Sequence, residues 1–283
     1  MASDSDYSPA QLLKHAQTDV RLPVAEPLLS VILSRSPFII VAGTFNTRDV
    51  GLVPGSPIRE GYVLRSGALE NLDDVGKEQI AGQLGIKRIF DLRTSYEREK
   101  YPEPDVPGVN ITWIPNSYSN TVDINDFVSE GGEEGYCKMY MDIMEIYAPT
   151  LKIVLEHVRD RHRNHFFSTA RNCSKVGRDR TGILAGFLLS LAGANAETIT
   201  LDYMLSRIGS EPVRELLLQR AVEDNNCDFD VPVFHNLCSL RLSTWQLFMT
   251  QVEAKYGGFE KYAMVTLGFS REEIERIVGH LRA

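Results

Sequence analysis

The stretch Arg171-Asn172-Cys173-Ser174-Lys175-Val176-Gly177-Arg178-Asp179-Arg180-Thr181-Gly182 decides how this chain is read. It is basic, with Arg171, Lys175, Arg178 and Arg180 set against Asp179, and it runs into an apolar segment, Thr181 to Leu191, that stops at Gly193. A basic loop feeding a helix N-terminus is an anion site, because unpaired amides and the positive end of the helix dipole converge on one point. A thiol in that cradle has its thiolate stabilised and its pKa lowered by the same field. Arg180 suits a bidentate grip on two phosphate oxygens, which lysine does not reproduce. Asp179 suits delivery of a proton to a leaving alkoxide or phenoxide. Thiolate, guanidinium and carboxylic acid together describe a cysteine-based phosphate-ester chemistry that needs neither metal nor cofactor. The competing reading is a charged, solvated cap on a buried helix. A nucleotide-binding P-loop is excluded, since neither GxxxxGKS nor GxxxxGKT occurs here.

Working outward, the chain predicts a sheet before this loop and helices after it. Residues 38 to 42 and 62 to 65 read as strands, the second entered through Gly and Pro turn chemistry at 53 to 61. Leu72 to Leu84 predicts a helix stopped by Gly85. Ile86 to Leu92 and Val109 to Ile114 are short β-prone runs separated by the charged, Pro-containing stretch 93 to 107. Asp123 to Gly135 is acidic and predicts a surface loop or lid with no apolar face. Met139, Tyr140, Ile143, Ile146 and Tyr147 recur at helical spacing, and Pro149 marks a kink or the first turn of a new helix through Val158. His165 to Thr169 is a weak strand candidate, and Asn195 reads as the cap of the helix beyond Gly193. Ser270 with Glu273 forms a capping box ahead of the stripe Ile274, Ile277, Val278 and Leu281. The expectation is an α/β domain over 38 to 283, with a mostly parallel sheet flanked by helices and a helical C-terminal half, preceded by an N-terminal extension over 1 to 37.

With 43% hydrophobic, 9% aromatic and 24% charged residues, the 283-residue chain is of ordinary globular composition. Its formal charge is −8; residues 171 to 181 carry +3, so the remainder carries −11. That balance excludes a nucleic-acid binder working by overall charge and requires a local basic pocket for any anionic substrate. Cys137, Cys173, Cys227 and Cys238 show no CxxC spacing and no His at metal-ligand distance, so neither a zinc site nor a disulfide framework is expected. Cys137, Cys227 and Cys238 read as structural thiols. His157, His162 and His165 lie among Arg and Asp and predict a solvated helix end rather than a metal site. Trp113, Trp245 and Phe248 are expected to pack in or near the core. Residues 1 to 17 lack the basic end and apolar run of a signal peptide, and the longest apolar stretch, Ile183 to Ala192, is too short to span a bilayer. A cytoplasmic protein without stable membrane insertion is expected.

Gly177-Arg178-Asp179-Arg180-Thr181-Gly182 followed by an apolar helix resembles the signature loop, HCxxGKDRTG, of the atypical tyrosine/serine phosphatases of bacteria and fungi. The resemblance extends to Asn46-Thr47-Arg48-Asp49-Val50-Gly51 (NxRDxG), Leu64-Arg65-Ser66-Gly67-Ala68-Leu69 (RSGAL), and Asp91-Leu92-Arg93 with Glu97 (DLRxxxE). It continues through Asp202-Tyr203-Met204-Leu205-Ser206 and Tyr256-Gly257-Gly258 to Leu267-Gly268-Phe269-Ser270, in family order over about residues 38 to 283. It implies a cysteine-phosphatase-like fold and two-step phosphomonoester hydrolysis through a cysteinyl phosphate. The implied substrates are phosphotyrosine, with phosphoserine, phosphothreonine and phosphoinositides beside it, so the partner is a phosphorylated protein or a phosphoinositide. By position Cys173 is the nucleophile, Asp179 the acid and Arg180 the clamp, with Ser174, Lys175, Val176, Gly177, Arg178 and Thr181 around the phosphate. Arg178 takes the family's Lys position, and Thr181 is placed to offer its hydroxyl to the thiolate or leaving group. Asp91 and Arg93 either sit at the ligand-binding edge of the sheet or tie a turn together.

The chain departs from the family around the loop, where His165-Phe166-Phe167 is followed by Ser168-Thr169-Ala170-Arg171-Asn172 before Cys173 and does not run straight into His-Cys. Family spacing is Cys, five residues, Arg, whereas six residues separate Cys173 from Arg180. Aligned without a gap, Ser174 takes the nucleophile position and Cys173 that of the His. Three readings follow. The loop bulges and Cys173 reaches the cradle; or Ser174 has replaced the thiol and leaves a phosphate-binding pseudophosphatase; or Ser168 to Val176 stems from an imperfect gene model around an intact motif.

Overall fold

The computed structural model describes residues 7–116, 123–161, 163–169, 177–225 and 228–283. Among them five short strands form one sheet: β1 (Arg48–Asp49), β2 (Val63–Ser66), β3 (Arg88–Asp91), β4 (Asn110–Trp113) and β5 (Phe166–Thr169), in the order β1-β2-β5-β3-β4. Only β1 runs antiparallel to its neighbour, so the fold is α/β with a mostly parallel sheet. Side chains alternate across it. Val63, Phe90 and Phe166 enter the large core built by the helical half, and Leu64, Ile89 and Phe167 enter a smaller cluster with Leu69, Leu72 and Ile80. Burial on both faces is why these strands read as apolar runs without polar alternation. The weakest strand candidate is thus the central strand.

The helices follow the sequence signals. The run through Leu84 forms α3 (Asp74–Glu78), continued by a π turn over Gln79–Gln83. α5 (Glu133–Ile146) carries the Met139, Tyr140 and Ile143 face, and Pro149 lies in the first turn of α6 (Ala148–Asp160). α7 (Asp179–Leu191) is buried on every side except at Ser190, as befits an apolar helix in the middle of a core. Asn195 caps α8 (Ala196–Gly209) by accepting from the Thr198 amide at 2.9 Å, and the Ser270/Glu273 box opens α13 (Arg271–Arg282). On α8, Tyr203 stacks on Trp245 of α11 (Leu242–Tyr256) with ring centroids 4.3 Å apart. Trp245 and Phe248 are both fully buried, and Trp113 is half-buried at the sheet edge.

Three expectations are revised. Residues 38 to 42 form no strand: Phe38 makes an isolated bridge to Arg48, while Ile40 is 74% exposed. The acidic segment has an apolar anchor, because Phe127 in a 3-10 turn over Ile124–Phe127 is buried and packs edge-on against Tyr136. His157 is no solvated helix end; it is buried between Phe90 and Phe166, hydrogen-bonded to Arg88 and to the Asn164 carbonyl. Burial, backed by the nearby Arg88 and Arg161, drives its pKa down to about 4. His162 lies outside the described residues. In the first 37 residues, α1 (Pro9–Ala16) and α2 (Glu26–Leu33) place Leu12, Ala16, Leu29 and Ile32 in the main core.

Candidate active site

The carboxyl ends of β2, β5 and β3 lie side by side, with Thr169 in register with Ser66 on one side and Asp91 on the other. The exit of β5 is tied to both neighbours: the Leu92 amide donates to Thr169 O at 2.8 Å, and Thr169 Oγ1 donates to Gly67 O at 2.8 Å. Open parallel sheets bind ligands at this edge, where the chain leaves toward a helix N-terminus. The loop between β5 and α7 carries Cys173, Ser174, Lys175 and Val176, which lie outside the described residues. Gly177, two residues before α7, has φ +61°, and a Cβ there would stand 2.0 Å from the Ser66 carbonyl oxygen. Glycine is required on both counts.

Beyond Gly177 each signature side chain has a defined environment. Arg180 is 2% exposed and donates from Nη1 to Glu97 Oε2 at 2.6 Å and to Leu92 O at 3.1 Å. Glu97 is fixed in turn by the capping box of α4 (Ser95–Lys100), accepting from the Thr94 amide at 2.7 Å. The DLRxxxE segment therefore locates the guanidinium. Asp179 is 1% exposed and accepts at Oδ1 from the Tyr140 hydroxyl and from Arg178 Nε, both at 2.7 Å. Tyr203 OH lies 2.6 Å from Tyr140 OH and extends that chain. Burial presses the Tyr140 phenol well above its ordinary value, and Asp179 adds to it, so the group is a fixed donor. Arg178 is buried; Nε and Nη2 face Asp179, and Nη2 also donates to Tyr136 OH at 2.8 Å. Burial works against its charge, and Asp179 outweighs it and raises its pKa well above the usual value. The Thr181 hydroxyl donates to Gly177 O and accepts from Arg65 Nη2 at 3.0 Å.

Arg65 stands behind the loop. Its Nη2 donates to the carbonyls of Gly177 at 2.8 Å and Arg178 at 3.1 Å, while Nη1 pairs with Asp202. Asp202 also takes Arg48 Nε at 2.8 Å, so one carboxylate holds two guanidinium groups that are both fully buried. The NxRDxG, RSGAL and DYMLS segments meet in this triad. Drawing the two carbonyls rearward orients the peptide planes at the start of α7. Asp91 and Arg93 tie a turn together: the Arg93 amide and Nε reach Asp91 Oδ1, both at 2.9 Å, and Nη2 reaches Glu103 at 2.6 Å. Burial and the neighbouring Asp91 raise the Glu103 pKa to about 8.

Sequence reasoning quoted Glu97, Arg65 and Asp202 within motifs and gave them no partners. It read Tyr140 as part of an apolar helix face and Tyr136 not at all, because a tyrosine's ring and its hydroxyl carry opposite signals. Among the described residues no three His, Cys, Asp or Glu are grouped to hold a metal ion, and no helix is long and apolar enough to cross a membrane.

A model of the tyrosine phosphatase family matches residues 39–283. The chain belongs to this family. A tyrosine-protein phosphatase of Nostoc commune is 24% identical over 224 residues, covering 76% of this chain and 72% of the relative. Membership in the tyrosine phosphatase family supports a phosphatase-type hydrolase with phosphorylated substrates.

Proposed function

We propose that this family member is a metal-independent phosphomonoesterase that hydrolyses phosphotyrosine, with phosphoserine, phosphothreonine or a phosphoinositide as further substrates. The Cys173 thiolate attacks phosphorus, the P–O bond breaks, and the leaving oxygen takes the proton of Asp179. Water then attacks the cysteinyl phosphate, gives its proton to Asp179, and frees the thiolate and inorganic phosphate. Arg180 clamps the phosphate with the amides of Ser174 to Arg178, Lys175 adds positive charge, and Thr181 closes the cradle. A cytoplasmic setting belongs to the same reading, because the nucleophile must stay reduced.

The observation that carries this reading is the hold on Arg180, a buried guanidinium fixed by Glu97 and Leu92 O at the first turn of the helix leaving the central strand. Guanidinium groups fixed in advance stabilise charge that develops in a transition state. A second reading, a pseudophosphatase that binds phosphorylated ligands without turnover, is favoured by Ser174 occupying the family's nucleophile register. Aryl phosphate hydrolysis abolished by Cys173→Ser supports the enzyme. A gain of activity in Ser174→Cys moves the nucleophile to that position. Absence of turnover in both, with vanadate still raising the melting temperature, establishes the binding module.

A further inference from the structure

Asp179 belongs to the signature loop, but how its two oxygens are used is decided outside it. Oδ1 accepts from Arg178 Nε and from the Tyr140 hydroxyl, both at 2.7 Å, whereas Oδ2 stands 3.4 Å from Arg178 Nη2. A carboxyl oxygen has two lone pairs, and these two donors fill those of Oδ1. A proton placed on Oδ1 would displace one of them and strand a buried donor, whereas a proton on Oδ2 leaves both in place. The asymmetry therefore holds in the protonated and the ionised group alike.

Helix α5 sets that asymmetry. Tyr136 and Tyr140 lie one turn apart on the same helical face. Tyr140 holds Asp179, and Tyr136 accepts from Arg178 Nη2 at 2.8 Å. The Tyr140 ring is fully buried and meets Tyr136, Tyr203, Trp245 and Phe248 at centroid distances between 5.3 and 6.2 Å. Packing thus fixes where its hydroxyl points. Behind it Tyr203 OH stands 2.6 Å away, on a ring stacked against Trp245. Burial raises the pKa of both phenols, so neither loses its proton near neutral pH. Among the described residues, the charged and titratable groups around Asp179 are Arg178 on its own helix, Tyr136 and Tyr140 from α5, and Tyr203 from α8. Arg65 of β2 acts on Tyr203, and Cys238 at the end of α10 (Pro232–Cys238) acts on Tyr136.

We infer that Tyr140, backed by Tyr203, is a positioning residue for the acid step: it keeps Oδ1 an acceptor and makes Oδ2 the oxygen that carries the proton. Oδ2 gives that proton to the leaving oxygen as the P–O bond breaks, and takes one from water in the second step. This deepens the phosphatase reading and rests on it. A donor to the carboxylate also favours its ionised form, so Tyr140 helps set the pH at which the acid is lost.

The test is the pH dependence of kcat/KM for phenyl phosphate, whose leaving group needs a proton, beside 2,4-dinitrophenyl phosphate, whose leaving group does not. In Tyr140→Phe the alkaline limb for phenyl phosphate should move up by about one pH unit, because the carboxylate loses a donor. The plateau for phenyl phosphate should fall about tenfold more than that for the dinitrophenyl ester. Tyr203→Phe should move the limb the same way by less, and Asp179→Asn should abolish it. An unmoved limb, a downward shift, a limb that survives Asp179→Asn, or an equal loss for both esters overturns the proposal; the equal loss is what a merely structural tyrosine gives. If Tyr140→Phe does not fold, the direction of the shift in Tyr203→Phe decides. Failure of the phosphatase reading appears instead as absent turnover of both esters by the unaltered chain. Carbon NMR titration of the Asp179 carboxyl, assigned by its loss in Asp179→Asn, then reads the hydrogen bond without turnover: a midpoint raised in Tyr140→Phe supports the hold on Oδ1, and an unchanged one overturns it.

Discussion

Replacing Asp202 by asparagine keeps the side chain's size and removes its charge. Arg48 and Arg65 are both 0% exposed, and Asp202 is 1% exposed, so water cannot substitute for the lost carboxylate. Burial first, and Arg65 second, already lower the Arg48 pKa to about 10 even with Asp202 in place. Burial disfavours the Asp202 charge too, but the two arginines prevail and hold its pKa below the carboxylate range. Breaking a buried pair costs about 3–5 kcal/mol. Here two cations lose one shared partner, so we expect the upper end, about 5 kcal/mol, and a melting temperature lower by about 10–20 °C for a chain of this size. Urea unfolding followed by Trp fluorescence measures it, with Trp245 stacked on the neighbouring Tyr203 as reporter. Arg48→Leu should cost less, because it leaves a neutral Arg65–Asp202 pair and the Arg65 contacts to Gly177 and Arg178. A loss below about 1 kcal/mol in Asp202→Asn, or a larger loss in Arg48→Leu than in Asp202→Asn, refutes the view that this carboxylate is needed to neutralise the pair.

Three further outcomes are expected. Glu97→Gln removes the charge that positions Arg180 and should lower kcat/KM for an aryl phosphate about 10²–10³-fold; because the pair is buried, urea unfolding should also show a loss of about 3–5 kcal/mol. Gly177→Ala forces a Cβ onto the Ser66 carbonyl at φ +61°, and the resulting shift of about 1 Å at the head of α7 should cost about 10²-fold in rate by steady-state assay. His157, neutral when folded with a pKa of about 4 against 6.5 when free, gives up to about 3 kcal/mol of stability that is complete above pH 6.5 and lost as pH falls toward 4; His157→Gln should flatten that part of the stability profile measured by urea titration.

The fold was legible where local chemistry acts alone. Gly85, Pro149, Asn195 and the Ser270/Glu273 box mark ends that the backbone must respect whatever packs around them. The sheet was legible as apolar runs, but its order was not: Phe166–Thr169 is short and follows a charged segment, and its central place depends on pairing with two strands far away in sequence. Residues 38 to 42 misled because β-prone side chains do not by themselves supply a partner strand. His157 misled because its neighbours in sequence are charged while its neighbours in space are Phe90 and Phe166. At the candidate site, residue types were readable and pairings were not. Arg178 and Arg180 look alike in sequence, yet one guanidinium faces Asp179 and Tyr136 and the other Glu97. Asp179 is the neighbour of Arg178 at the start of α7 and is held by Tyr140 of α5, whereas Glu97 comes from α4, inside the stretch 93 to 107 that the sequence shows only as a charged connection.

The two ends of the signature loop are clamped by different parts of the molecule: Thr169 by Leu92 and Gly67, Gly177 by Arg65. Neither clamp counts the residues between them. An insertion or deletion there leaves both clamps in place, whereas turnover needs the nucleophile at one register in the cradle. A lineage that ceased to need turnover would lose the spacing first and keep the scaffold, whereas a lineage that still needs it would have to find its nucleophile again by one substitution. Comparing the length of this interval among near relatives therefore reads out the history of catalysis separately from the history of the fold.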